Sequence, residues 1–373
     1  GSIIKCMQKI IGFMYKNILR RIFFLFDAED IHDRMIRIGV VLGRYAIVRT
    51  ITKMLFNYSN LVLSQKINGI TFTNPIGLAA GFDKNAQLTD IIPCVGFGFT
   101  EVGSITGRPC AGNPKPRLWR LKKSQGIVVY YGLKNDGCVA IQKRLQYKKY
   151  TLPVGISIAK TNDMHTTSTT SAIADYVKAY TTMSTIGDYD TINISCPNAY
   201  GGQPFSDPIK LNKLLIAIQH IQSQKPIFIK LPPDLTHTEI DDILYVVKKY
   251  TVAGFVCSNL TKDRKNKNLR IYDKNIPDQG GISGKVVEEL TNQQIKYIYT
   301  KTKGKYTIIG CGGVFSAQDA YTKIKYGASL IQLITGMIFE GPQVIGQINK
   351  GLVQLLKKDG HTNISQAVGK DVR

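Results

Sequence analysis

No two cysteines of this chain are spaced as Cys-x-x-Cys. The seven present (Cys6, Cys94, Cys110, Cys138, Cys196, Cys257, Cys311) are odd in number, so neither a disulfide framework nor a zinc or iron–sulfur site is indicated. A reducing compartment is expected. The five histidines (His32, His165, His220, His237, His361) lie far apart, with no His-x-x-x-His pair, which argues against a metal site. Acidic residues are scarce, 26 against 49 basic, and the resulting net charge of +23 suits an anionic partner: a phosphate-bearing cofactor, an acidic substrate, an anionic membrane or nucleic acid. Scattered pairs such as Lys148-Lys149 and Lys357-Lys358 fit a solvated surface better than an RNA-binding stripe interleaved with aromatics, so no nucleic-acid partner is expected. Low-complexity linkers and strong internal repeats are also missing.

What is there begins with helical pattern. Gly1 and Ser2 read as a cloning remnant. From Lys9 to Phe26, polar residues at Lys9, Gly12, Lys16 and Arg20 recur every three or four positions and leave Ile10, Ile11, Met14, Ile18, Phe23 and Phe24 around the rest of a helix. Arg20 and Arg21 forbid a spanning segment. A second helix over 28–49 sets Asp30, Asp33, Arg34 and Arg37 opposite Ile31, Met35, Ile38 and Leu42. Such helices either lie on a membrane surface or pack as a hairpin on the main domain.

From Ile67 onward, short apolar runs alternate with amphipathic stretches. Eight runs are present: Ile76-Ala80, Gly98-Ser104, Val154-Ala159, Asp190-Cys196, Pro226-Leu231, Gly254-Ser258, Tyr306-Cys311 and Ser329-Ile334, each followed by a segment able to form a helix. Together with a length of 373 residues, this predicts an α/β fold: a closed (β/α)8 barrel over 67–373 preceded by an N-terminal helical appendage over 1–66.

In such barrels the active site lies at the carboxyl ends of the strands. Lys84 follows the first run, Ser104 ends the second, Cys196 the fourth, Lys230 the fifth, and Ser258-Asn259 the sixth. The last two runs end in Gly310-Cys311-Gly312-Gly313 and Thr335-Gly336, where barrels of this type bind phosphate through backbone N–H groups. In Asn193-Ile-Ser-Cys-Pro-Asn198 a thiol stands between carboxamides able to hold a planar polar substrate, and a buried structural cysteine is the plainer alternative.

These features resemble the dihydroorotate dehydrogenase family of FMN enzymes. The stretches that carry the resemblance are Asn74-Lys84, Glu101-Ser104, Gly112-Arg117, Asn193-Asn198 and Gly280-Lys285, within a likeness that runs from His32 to the C-terminus. The helical pair, with His32 in Ala-Glu-Asp-Ile-His and Arg120 in Arg-Leu-Trp-Arg, is further similar to the membrane-associated, quinone-reducing class, in which these helices form the quinone tunnel. The resemblance implies FMN held by Ala79, Ala80, Gly81, Lys84, Ser104, Asn193, Lys230, Ser258, Gly284, Gly312, Gly313, Thr335 and Gly336, with Ser157 where the family has a flavin-side asparagine. It implies dihydroorotate or orotate at Lys84, Asn193, Asn198 and Asn259, hydride transfer from C6 to flavin N5, and Cys196 as the base that removes the C5 proton. Lys84 and Lys230 are expected to lower the thiol pKa and burial to raise it.

Two departures qualify the acceptor and the pocket. The quinone class carries serine as its base, whereas Cys196 matches the soluble classes that use fumarate or a partner subunit. Val129 stands where the family has a substrate-binding asparagine, so that either Asn135 or a hydroxyl compensates or the substrate is held more loosely. The expected function is dihydroorotate oxidation in pyrimidine biosynthesis with a quinone as acceptor. Its rivals are a dihydroorotate dehydrogenase using fumarate or NAD, a flavin barrel reducing uracil in RNA, and a non-catalytic basic scaffold. The appendage implies peripheral attachment to the cytoplasmic side of a bacterial inner membrane; a mitochondrial inner membrane would require a targeting segment outside this sequence.

Overall fold

The computed structural model describes residues 2–196, 198–199 and 204–372, with the side chains of 2–6 and 9 left out. Gly1, Pro197 of the hexapeptide, and the side chains of Cys6 and Lys9 thus lie outside the described residues. The chain opens with α1 (Ser2–Met14), a π-helical turn (Tyr15–Leu19) and α2 (Arg20–Phe23). Asp27 then caps α3 (Ala28–Arg44), its carboxylate accepting from the Glu29 and Asp30 N–H groups that open the helix. The expected helix over 28–49 does not run through: Tyr45, at φ −99° and ψ 120°, turns the chain into a separate α4 (Ala46–Phe56).

All eight expected runs are strands: β1 (Ile76–Leu78), β2 (Phe99–Ile105), β3 (Val154–Ile158), β4 (Tyr189–Asn193), β5 (Ile227–Leu231), β6 (Gly254–Cys257), β7 (Thr307–Cys311) and β8 (Leu330–Leu333). They are parallel and pair in chain order, with β8 closing on β1. Helices coat the outside, among them α5 (Glu288–Thr302) after β6 and α6 (Ala317–Lys325) after β7, while α7 (Thr335–Glu340) follows β8. The strands carry continuous apolar residues because both faces are covered, one by helices and one by the barrel interior. Two excursions project from the carboxyl mouth, Leu118–Leu121 with Gly126–Val129 after β2 and Gly281–Gly284 after β6, and they join into one antiparallel sheet beside it.

The amino end of the barrel is plugged by rings. Phe72 meets Phe99 edge-on at 5.4 Å, and Tyr189 meets Phe228 at 5.5 Å. Room for them comes from glycines opposite in register. A Cβ added at Gly77 would lie 2.3 Å from the Phe99 ring, and one at Gly155 only 2.1 Å from the Tyr189 ring. Gly155→Ala is therefore expected to overpack the plug and lower the unfolding free energy by about 1–3 kcal/mol. Urea denaturation checks this; an unshifted midpoint would mean that the ring moves aside without cost.

Candidate active site

Alternation along each strand decides what reaches the mouth. Tyr189, Thr191 and Asn193 share the inward face of β4, and Phe228 and Lys230 that of β5, with Asn193 and Lys230 paired in register at the carboxyl end. One cavity opens there. Of the residues expected to hold cofactor or substrate, Ala79, Ala80, Gly81, Lys84, Ser104, Asn193, Asn198, Lys230, Ser258, Asn259, Gly284, Gly312, Gly313, Thr335 and Gly336 all line it, together with Cys196 and His32.

Ser157 and Arg120 do not line it. Ser157 is fully buried behind the wall, where its hydroxyl bonds that of Ser104 at 2.8 Å, so it supports a lining residue instead of being one. Arg120 lies on the same face of the excursion sheet as the cavity-lining Leu118 and Ile127 but past the cavity's edge, donating to the Phe26 carbonyl at 2.8 Å and lying 4.7 Å over the Phe24 ring. Its contacts are with the segment after α2.

Hydrogen bonds hold the carboxamides in place. Asn193 Nδ2 donates to Ser104 Oγ at 2.8 Å, while its Oδ1 accepts from the Ser195 N–H and hydroxyl at 3.1 and 2.8 Å. Asn259 Nδ2 donates to Ser195 Oγ at 2.9 Å. This chain fixes the segment carrying Cys196, which lies three residues beyond the end of β4 and not within the strand as its apolar run suggested. Asn198 Nδ2 donates to the Val129 carbonyl at 2.7 Å, and its buried Oδ1 has no partner among the described residues. Compensation at Val129 thus does not come from Asn135, whose amide is spent on Thr106, Leu133 and Gly137.

The thiol of Cys196 is pushed up by burial, opposed by the Asn198 backbone and by the charges of Lys160 and Lys262. Lys84 and Lys230, the lysines expected to act on it, are not among the groups that act on it most. Lys84 faces the helices: its Nζ lies 3.0 Å from His32 Nε2 and 3.9 Å over the Tyr131 ring. Burial brings Lys84 down to about 8. Burial and the neighbouring lysine charges hold His32 well below its usual range, so its neutral ring accepts from the Lys84 ammonium. Lys230 is buried and finds no hydrogen-bond or ion-pair partner among the described residues.

At the opposite end Gly312 (φ +133°) and Gly313 (φ +74°) form a tight backbone turn, and a Cβ at Gly336 would sit 2.0 Å from the Val314 carbonyl oxygen. The N–H groups of Gly313 and Val314 find no acceptor among the described residues. Such a cradle of bare donors suits a phosphate. The remaining wall, toward α1–α3, is apolar: Leu118, Phe315 and Ile338.

Sequence reasoning missed the residues that join this wall to the barrel. Glu29 on α3 receives Arg117 in a two-pronged pair, Nε to Oε2 at 2.8 Å and Nη2 to Oε1 at 2.7 Å, with Lys134 Nζ at 3.2 Å. The only available signal was that both ends, Ala-Glu-Asp-Ile-His and Gly112-Arg117, fall in stretches already singled out.

Comparison with known proteins agrees with this geometry. The profile of the dihydroorotate dehydrogenase family matches residues 62–356. A dihydroorotate dehydrogenase (quinone) of Sulfurimonas denitrificans is 40% identical over 314 residues, 84% of this chain and 86% of the relative. One of Roseiflexus castenholzii is 34% identical and covers 96% of this chain and 97% of its own. The crystal structure of the Eimeria tenella enzyme in complex with ferulenol superposes with a TM-score of 0.83 at 30% identity, covering 93% of this chain and 96% of that one.

The Glu29 pair has a measurable pH signature. Burial raises the carboxyl, but Arg117 and Lys134 outweigh it and hold Glu29 at about 2, below the ordinary 4.5. A lowered carboxylate pKa stabilises the fold above the ordinary value, and that stability is lost as pH falls toward the folded one. Glu29→Gln is therefore expected to melt lower than the parent near neutral pH, with the gap narrowing as pH drops from 4.5 toward 2. Melting curves of both proteins across that range check it; a constant gap would assign the loss to packing.

Proposed function

Because the chain belongs to the dihydroorotate dehydrogenase family, we propose that it oxidises dihydroorotate to orotate in pyrimidine biosynthesis, with FMN as cofactor and a quinone as electron acceptor. One observation carries this reading: a single cavity gathers Cys196, three carboxamides and two lysines at one end and a bare backbone turn at the other. The residues present fit the flavin. At Gly81 an added Cβ would meet only Ile334, at 3.9 Å, so backbone borders open space there, and the unpaired Lys230 stands ready for an anion. Ala79, Ala80, Gly81, Lys84, Ser104, Lys230 and Ser258 would border the ring system, and Gly284, Gly312, Gly313, Thr335 and Gly336 the phosphate. When bound, the cofactor supplies the two-electron acceptor for the oxidation.

Lys84, Asn193, Asn198 and Asn259 orient the pyrimidine. Asn198 offers an Oδ1 that has no partner among the described residues, whereas Asn193 is largely spent on Ser104 and Ser195 and acts by placing them. Cys196, partly open to the cavity, takes the C5 proton as thiolate. Electrons leave toward the helices, where the apolar wall and His32 offer a quinone a path, with residues 1–66 as the acceptor-facing unit and 67–373 as the FMN barrel. Arg120 borders that unit near Phe24 and Phe26. The outer surface of α1–α4 exposes Phe13, Leu25, Ile47 and Met54 among basic residues, which suits peripheral attachment to the cytoplasmic side of a bacterial inner membrane. No helix of the described residues is long and apolar enough to cross a membrane.

Turnover of dihydroorotate with a soluble quinone, fumarate and NAD, compared side by side, tests the reading. Quinone is expected to be fastest; a faster rate with fumarate or NAD would reassign the acceptor, and flavin that dihydroorotate does not bleach would sink the function. Cys196→Ala should slow flavin reduction by about 10²–10⁴-fold. In the parent that step should quicken with pH through and beyond the ordinary thiol range, since burial raises the thiol. Stopped-flow bleaching measures both, and an unchanged alanine variant would place the base elsewhere.

A further inference from the structure

Behind the backbone turn after β7 lies a set of charges with no place in the chemistry above. Lys285, just past the Gly281–Gly284 strand, reaches Asp319 at the start of α6 at 2.6 Å, Glu288 at the start of α5 at 2.8 Å, and the Gly313 carbonyl at 3.4 Å. Asp319 in turn accepts the Phe315 N–H at 2.9 Å through its other oxygen. Two points of the turn, the Gly313 carbonyl and the Phe315 amide, are thus held from one side by a single lysine and its carboxylate partner.

The geometry points to Lys285 as a positioning residue for the cofactor phosphate, an inference that rests on the FMN reading above. A trans peptide is planar and sets its N–H opposite its C=O. With the Gly313 carbonyl drawn back to Lys285, the N–H of the same peptide, on Val314, points the other way; Gly313 and Val314 both line the cavity, and neither N–H has an acceptor among the described residues. Gly313 packs closely on α5, where a Cβ added to it would lie 2.4 Å from that of Glu288, so only glycine lets the turn lie this near the helix. Charge points the same way. Glu288 and Asp319 place two carboxylates behind a turn meant for a dianion, and Lys285, with the fully buried Lys323 that donates to Asn292 at 2.7 Å, keeps this group near neutral. Lys285 does not touch the phosphate; it aims the backbone that does.

The phosphate gives the test. Flavin-stripped full-length protein is titrated with FMN and with riboflavin, which shares the ring system and lacks the phosphate, following flavin fluorescence. Lys285→Met is expected to weaken FMN by about 10- to 100-fold, the worth of one or two charge-assisted hydrogen bonds, while riboflavin affinity holds. Lys285→Arg should recover most of the preference for FMN. An equal loss for both flavins, or no loss for either, would overturn the inference and leave Lys285 a structural ion pair. Should Lys285→Met fail to fold, Asp319→Asn cuts the same tether at its far end and is judged by the same criterion. A parent protein with no preference for FMN over riboflavin would instead fail the FMN reading itself.

Discussion

Closure of eight parallel strands into a ring is the constraint from which the rest follows. Once closed, every second side chain must point inward, and the interior has to be filled from the floor upward. Aromatic rings occupy the floor. Above them Glu101 receives hydrogen bonds from Thr191, Tyr189 and Gln332 at 3.0, 3.3 and 2.9 Å, forming a polar middle layer. Only the carboxyl mouth remains open, so Asn193, Lys230, Ser104 and Ser258 meet there from strands far apart in sequence. The polarity of the interior therefore rises toward the mouth, and a ring lying across it has packed protein beneath.

A second constraint joins the helices to this mouth. Glu29 and His32 are three residues apart on α3 and share a face. The pair of Glu29 with Arg117 sets the rotation of that helix, and the rotation delivers His32 to Lys84. The cavity thereby gains two chemically different walls: a polar one built by strand ends, where a pyrimidine can be held, and an apolar one built by helices and the excursion sheet.

Much of this was legible in the residues. Buried parallel strands read as continuous apolar runs, so all eight were located, with ends correct to within about three residues. The overrun at Cys196 has a local cause: Ile194 and Ser195 extend the pattern, but the Asn193 side chain takes the Ser195 N–H and ends the ladder. The break at Tyr45 is announced only by Gly43, which sits inside the last turn of α3 and not after it. Ion pairs such as Glu29–Arg117, 88 residues apart, leave no periodic trace, and neither do the cations around Cys196, which come from loops after β3 and β6. The partner for Val129 was unreadable for another reason: Asn198 bonds its backbone carbonyl, which every residue type would present.

The ringed floor bears on how this chain can change over generations. Gly77 faces Phe99 and Gly155 faces Tyr189 across neighbouring strands, each glycine leaving the space that its partner fills. Shrinking the ring first leaves a void, a loss that a reserve of stability can absorb; enlarging the glycine first drives atoms into one another. Either step taken alone costs stability, so the floor couples the histories open to the two positions: a change at one shifts what the other can accept.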